Sequence, residues 1–385
     1  MLTNNISLKG FLRKNGEHKI QKKLKQIINE KNELFNSMSK SYVDKYNSKK
    51  IKKIASKRNI RLIGMGGSIL GSQAIYNFLK DKISKKFYFI NNLFPFKKTI
   101  NNENITNLII SKSGNTLETI SNTNLYIKKK DQNIFITENK KSYLFELAQK
   151  LRAEIIHHNN FIGGRYSVLS EVGMLPAELM GLDPNKFRQF NNLIKNEKFL
   201  KFLVQNTNSI LYFSKKKKFN SIILNYDNKS HYLFEWYQQL VAESLGKKGK
   251  GILPIISSLP KDNHSVMQLY LDGFKNNFFT FFYCREKKSN KLEKSKLLNS
   301  QKFLGSRTID EIIFKQKIAT ENVLKLKKIP FRSFELKKRD EKSLGELFCY
   351  FMLETILLGK ALNLNPFNQP SVELIKKETK KLFIR

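Results

Sequence analysis

The chain is 385 residues long, 40% hydrophobic, and carries 71 Lys and Arg against 32 Asp and Glu, a formal charge of +39. That size supports one large or two medium globular domains with substantial cores, and the two cysteines, Cys284 and Cys349, lie in apolar stretches and read as buried free thiols rather than a disulfide framework. No stretch reaches the ~18 apolar residues of a membrane helix, since 344–362 is broken by Glu346, Glu354 and Lys360 and 1–14 has no uninterrupted apolar segment of the signal-peptide kind, so a cytoplasmic, reducing location and no membrane partner are expected.

The charge excess is Lys rather than Arg and is spread over 49–57, 128–130, 215–218, 247–250, 287–296 and 325–338. A nucleic-acid stripe would be concentrated, Arg-rich and interleaved with aromatics, so no specific nucleic-acid partner is expected. A positive field of this kind speeds capture of an anionic substrate and fades with salt.

In chain order, residues 1–50 read as a polar, helical lead-in. Strands and helices then alternate, with strand-like runs at 61–65, 87–90, 105–110, 133–137 and 154–156. A second alternating block begins after Asp183-Pro184, with strands at 210–213, 221–224, 252–257 and 278–284, and a charged, mobile loop is expected over 286–300. From Glu341 the pattern is helical, interrupted at Asn365-Pro366. The expected divisions are 1–50, 51–183, 184–340 and 341–385. Interleaved strands and helices imply parallel pairing in an α/β sandwich, with ligands beyond the carboxyl ends of the strands.

Two loops fall at such ends: Gly64-Met65-Gly66-Gly67-Ser68, and Ser111-Lys112-Ser113-Gly114-Asn115-Thr116 before a predicted helix over 117–126. The first N–H groups of a helix lack intrahelical partners, the dipole presents its positive end, and Ser and Thr hydroxyls add donors, which together make a phosphate cradle. Either loop alone fits an ordinary capped helix start; two on neighbouring strands point to a phosphorylated ligand. Farther on, Leu233, Trp236, Tyr237 and Leu240 follow helical spacing in a predicted helix over 232–246. Glu243 falls at the edge of that stripe, one turn past Gln239. Partly desolvated there, it would serve as a general base; the alternative is a pair with Lys247, four residues on.

Gly163-Gly164-Arg165-Tyr166-Ser167 is either a turn that brings a guanidinium to a phosphate or oxyanion, or a turn with a surface Arg. His264, after the Leu259-Pro260 turn, is either a proton shuttle or a helix-start residue. Gln369 and Lys376 flank Pro370-Ser371-Val372-Glu373. A P-loop is excluded because Val241 stands where it needs a Gly. Ile69 breaks the dinucleotide fingerprint, and neither Ser68 nor Ser113 has a nucleophile elbow's Gly pair. No His/Cys/Asp spacing suits a metal.

These motifs, with Gln239 to Lys247, His264-Ser265-Val266-Met267-Gln268 and Asn365-Pro366-Phe367-Asn368-Gln369-Pro370-Ser371-Val372-Glu373, occur in an order that resembles the glucose-6-phosphate isomerase family in its shorter bacterial form. The resemblance runs from about residue 60 to the end. It implies two sugar-isomerase (SIS-type) α-β-α sandwich domains with parallel sheets, and a C-terminal helical segment completing the active site. It also implies a homodimer, no cofactor and no metal, and interconversion of glucose 6-phosphate and fructose 6-phosphate in glycolysis and gluconeogenesis. Glu243 then looks like the base between C2 and C1, Arg165 the enediolate stabiliser, and His264 and Lys376 the ring-opening pair, with His264 reaching the partner subunit's site. Gly67, Ser68, Ser111, Lys112, Ser113 and Thr116 look like the phosphate grip, and Gln239 and Gln369 like positions lining the sugar. Asn115, Asn368 and Ser371 depart from the family's usual Thr, Asp and Gly. Two other readings stand beside this one. An isomerase that also accepts mannose 6-phosphate would share all of these residues. A non-catalytic sugar-phosphate-binding regulator would need the loops but not Glu243, Arg165 and Lys376 together.

Overall fold

The structure, a computed structural model, describes residues 2–11, 17–57, 59–95 and 105–384. Within them ten strands run in chain order: β1 (Ile6–Lys9), β2 (Asn59–Gly64), β3 (Lys86–Ile90), β4 (Ile105–Ile110), β5 (Gln132–Thr137), β6 (Glu154–His157), β7 (Asn220–Asn225), β8 (Leu253–Ser258), β9 (Asn277–Cys284) and β10 (Phe331–Leu336). They form two five-stranded sheets, ordered β3-β2-β4-β5-β6 and β1-β10-β9-β7-β8. Every pairing is parallel except the edge pair β1–β10. In the first sheet the chain leaves β2 toward β3 on one side and toward β4 and β5 on the other. The ends of β2 and β4, where Gly64 is in register with Ile110, therefore flank the crevice at which such sheets bind ligands.

Both sheets are covered on both faces, and strand alternation shows how. On β4 and β5, Leu108, Ile110, Ile134 and Ile136 face one large core, while Ile109 and Phe135 face a smaller cluster with Tyr126, Leu144 and Ala148. On β7 and β9, Ile223, Phe278 and Phe282 join that same large core, while Ile222, Leu224, Phe279 and Phe281 face a third cluster. The inner faces of the two sheets thus share one core. Leu233, Trp236, Tyr237 and Leu240 of the His231–Leu245 helix lie in it, as does nearly the whole length of the Glu341–Ala361 helix. Cys284 and Cys349 are buried free thiols, as expected. Among the described residues no helix is long and apolar enough to cross a membrane.

Two expectations are corrected, and one strand was unforeseen. The 210–213 run is helical, inside Glu197–Lys215, whose start is capped by the Asn196 side chain on Phe199 N. Phe199, Leu203, Ile210 and Phe213 recur there at helical spacing, and four apolar residues in a row do not by themselves separate strand from buried helix. The lead-in is not wholly helical, since Ile6–Lys9 closes the edge of the second sheet against β10. β10 itself lies within the Lys-rich 325–338 stretch, where the charged flanks hide a buried strand. The 286–300 segment carries a short 3-10 turn, Lys294–Lys296, with no buried residue.

Beside the central helix, Arg332 and Glu354 form a two-pronged ion pair, with side chains 0% and 1% exposed and Nη2 to Oε2 at 3.0 Å. Removing one partner of such a pair strands the other charge in the core. Glu354→Gln is expected to lower the unfolding free energy by about 3 kcal/mol, read from urea unfolding at unchanged m-value; a loss under about 1 kcal/mol would show that the pair does not hold this core.

Candidate active site

The ends of β2 and β4 deliver two pieces of the site. After β2 the chain makes a 3-10 turn, Gly66–Ser68, and enters the Leu70–Phe78 helix; after β4 it runs through Ser111 to Thr116 into the Leu117–Tyr126 helix. Neither helix start is closed by a side-chain cap. Thr116 Oγ1 instead meets Ser111 Oγ at 3.0 Å. The first N–H groups of both helices are therefore left for an anion. Gly114 sits at φ +65°, and a Cβ there would come within 2.1 Å of Ser142 Oγ, so this tight turn needs glycine. Ser113 is exposed at the mouth of the loop and Ser68 is half-buried.

Gly67 is the point of closest approach. A Cβ on it would lie 2.2 Å from Gly164 C and 2.4 Å from Arg165 N, so the loop after β2 packs backbone-to-backbone on the Gly163-Gly164-Arg165 turn. Arg165 is not a surface residue; its side chain is 1% exposed. Its Nε donates to Ser244 Oγ at 2.8 Å, Nη1 to Glu243 Oε2 at 3.1 Å and Gln369 Oε1 at 2.7 Å, and Nη2 to the carbonyls of Pro366 at 2.6 Å and Asn368 at 3.2 Å. All five guanidinium donors have acceptors. Trp236 Nε1 donates to Arg165 O at 3.1 Å, and the Tyr166 hydroxyl lies 2.9 Å from Ser244 Oγ and donates to Pro366 O at 3.2 Å. Burial pushes the Tyr166 phenol up, so it stays a donor.

Glu243 is oriented from both sides, by Arg165 on Oε2 and by Gln239 Nε2 on Oε1 at 2.9 Å. It does not pair with Lys247, whose ammonium donates to the carbonyls of Ser244 at 2.9 Å and Asn365 at 2.6 Å. Burial draws Lys247 down to about 8, with repulsion from Arg165 adding to the effect and Glu243 opposing it. The Glu243 side chain keeps 28% of its surface exposed, less desolvated than its helical position suggested. It opens on a cleft of about 630 Å³ with Leu70, Gln238, Gln239, Ala242 and Ile255 around it. Gln239 also carries a buried amide oxygen with no hydrogen-bond partner among the described residues, an acceptor for a ligand hydroxyl.

The expected site residues thus fall into three groups. Glu243, Arg165, Gln239 and Gln369 form one hydrogen-bonded cluster, with Gly67 against its backbone. Ser68, Ser111, Ser113 and Thr116 line the two loops. Lys112 belongs to the second loop by its main chain, but its ammonium donates to the carbonyls of Asn160 at 2.8 Å and Ile162 at 3.0 Å, and burial lowers its pKa. His264 and Lys376 are not joined to the cluster. His264 ends an exposed 3-10 turn, and Lys376 pairs with Glu373 at 2.7 Å on the Pro370–Ile384 helix, which has no buried residue. Sequence reasoning missed Ser244 and the acceptor carbonyls of Pro366 and Asn368. Ser244 was signalled only by adjacency to Glu243, and main-chain acceptors carry no residue-type signal.

With this geometry in view, the comparisons with known proteins are specific. A family model described as phosphoglucose isomerase matches residues 3–253. The glucose-6-phosphate isomerase of Methanocaldococcus jannaschii is 35% identical, over 86% of this chain and 86% of its own length, and that of Mycoplasmopsis pulmonis is 31% identical over 97% and 90%. Among solved structures, the crystal structure of a hypothetical protein from Thermus thermophilus superposes with a TM-score of 0.84 at 21% identity, covering 95% of this chain and 94% of that one. A glucose-6-phosphate isomerase from Chlamydia trachomatis superposes at 0.76 and 17%, covering 95% and 84%; these two likenesses bear on the fold. By the family model and the extent of these sequence relatives, the chain belongs to the phosphoglucose isomerase family.

Proposed function

We propose that Glu243, held between Arg165 and Gln239, is the base with which this chain interconverts glucose 6-phosphate and fructose 6-phosphate. Family membership gives the overall reaction; the residue assignments rest on the cluster. The observation that carries them is the Arg165–Glu243 contact at 3.1 Å beside an open cleft, with the loop after β2 abutting the Arg165 turn and the loop after β4 bonded to the segment just ahead of it.

Aldose–ketose exchange needs a proton moved from C2 to C1 and the C2 hydroxyl proton moved to O1, with negative charge on oxygen in between. Glu243 takes the C2 proton and delivers it to C1. Arg165 meets the enediolate oxygen; the neutral Gln369 amide oxygen on Nη1 is the acceptor that gives way to it. A preset cation at a developing oxyanion is worth about 3 kcal/mol by analogy with one oxyanion-hole donor. Ser68, Ser111, Ser113 and Thr116, with the backbone at Gly67 and Lys112, hold the phosphate, and that anchor converts binding into orientation of C2 over the carboxylate.

The assembly is read as a homodimer. His264, exposed on its turn, is assigned to ring opening in the partner subunit, and Lys376 to the same step. Support comes from the helix bearing Lys376, whose Val372, Ile375, Leu382 and Phe383 stand 41%, 69%, 72% and 75% exposed, an apolar surface suited to a second copy. A cytoplasmic location accords with the glycolytic role and the two free thiols.

Glu243→Gln is expected to keep phosphosugar affinity within a few-fold while exchange of the C2 hydrogen with solvent falls at least ~100-fold, the scale of lost general-base catalysis. Exchange at the original rate would place the base elsewhere. Ser113→Ala is expected to raise KM about tenfold, one charge-assisted hydrogen bond, with kcat nearly unchanged. A fall in kcat at constant KM would remove Ser113 from the phosphate grip.

A further inference from the structure

The turn that carries Arg165 is gripped from two directions, and both grips come from the loops assigned to the phosphate. The loop after β2 touches it through Gly67, where the close approach to Gly164 and Arg165 leaves no room for a side chain. The loop after β4 reaches it through one side chain. Lys112 Nζ donates to Asn160 O at 2.8 Å and Ile162 O at 3.0 Å, two carbonyls just ahead of Gly163-Gly164-Arg165, and Glu138 Oε1 lies 3.6 Å away. An ammonium has three protons, and these three oxygens surround it. The main chain of Lys112 is fixed as well: its carbonyl accepts from Glu138 N at 3.1 Å and from Thr137 Oγ1 at 3.4 Å. The segment it holds is braced from beyond, since Asn159 Oδ1 accepts from Phe161 N at 3.0 Å and Asn159 Nδ2 donates to Glu33 at 2.8 Å.

We propose that Lys112 is a positioning residue: its backbone takes part in the phosphate loop while its ammonium holds the 160–162 segment, so that phosphate occupancy is transmitted to the placement of Arg165. This rests on the reading of 111–116 as the phosphate grip. It differs from direct contact between the ammonium and the phosphate, and the two assign the loss to different kinetic constants. A side chain that grips the anion contributes equally to ground and transition states. A strut beneath Arg165 acts where charge develops on the enediolate, and small misplacement there is costly.

The test starts from measured wild-type turnover; its absence would overturn the site reading itself rather than the role of Lys112. Lys112→Met keeps the stem and removes the donors. kcat is expected to fall about tenfold or more, while KM and the inhibition constant of inorganic phosphate stay within about twofold. Lys112→Arg, whose fork can span two carbonyls, is expected to recover most of kcat. Weakening of inorganic phosphate by about tenfold with kcat near wild type would overturn the proposal in favour of direct contact, and no change in either constant would overturn it as well. If circular dichroism shows the Met variant unfolded, Lys112→Arg decides alone: phosphate affinity and kcat both within a few-fold support the strut, and a tenfold loss of phosphate affinity contradicts it.

Discussion

A guanidinium buried to 1% exposure is the constraint on which the site depends. Taking such a charge out of water costs several kcal/mol unless its partners are complete. Completing them here requires two distant parts of the chain at once: Glu243 and Ser244 on the His231–Leu245 helix, and the loop before the last helix, which supplies the carbonyls of Pro366 and Asn368 and the Gln369 side chain. Arg165 itself hangs from the end of the first sheet. Its burial therefore fastens the two halves of the molecule and the C-terminal loop around one point, and the cleft beside Glu243 is the space left over. Trp236 on Arg165 O, and Tyr166 on Ser244 and Pro366, make the same joint from the apolar side.

The carboxylate and the cation are treated differently, and the proposed chemistry needs that difference. Arg165 exchanges no proton in the proposed reaction, so it can be sealed in. Glu243 must gain and lose a proton at a substrate carbon, so it stands at the cleft wall, with Arg165 and Gln239 fixing its two oxygens. The two loops proposed to hold the phosphate reach the Arg165 segment through Gly67 and through the Lys112 ammonium, and the first of them also packs on Gln239 at the cleft wall through Gly66. The proposed steering and the proposed chemistry are thus mechanically continuous.

The first sheet and the helix bearing Glu243 were legible in the sequence because β-branched runs and helical spacing agree with burial there. The 210–213 run, β1 and β10 were not. A four-residue apolar stretch is silent about period, the edge strand β1 is recognised only by its partner, and β10 is hidden by its lysine flanks. The cluster was half legible. Residue types marked Glu243, Arg165, Gln239 and Gln369, but nothing in a sequence says that two of Arg165's acceptors are main-chain carbonyls. Nor does it say that the lysine of a phosphate-type loop aims its ammonium at Asn160 and Ile162. The structure does not bring His264 and Lys376, which the sequence resemblance singled out, to the cluster.

The most direct test of a single carboxylate moving one proton is the fate of label at C2. Glucose 6-phosphate deuterated at C2, turned over in ordinary water, should give fructose 6-phosphate with part of the deuterium at C1 and the rest in solvent, the solvent share growing as the intermediate is held longer. Complete retention of deuterium at C1 under all conditions would mean that hydrogen moves directly between the carbons, and Glu243 would have no proton to carry.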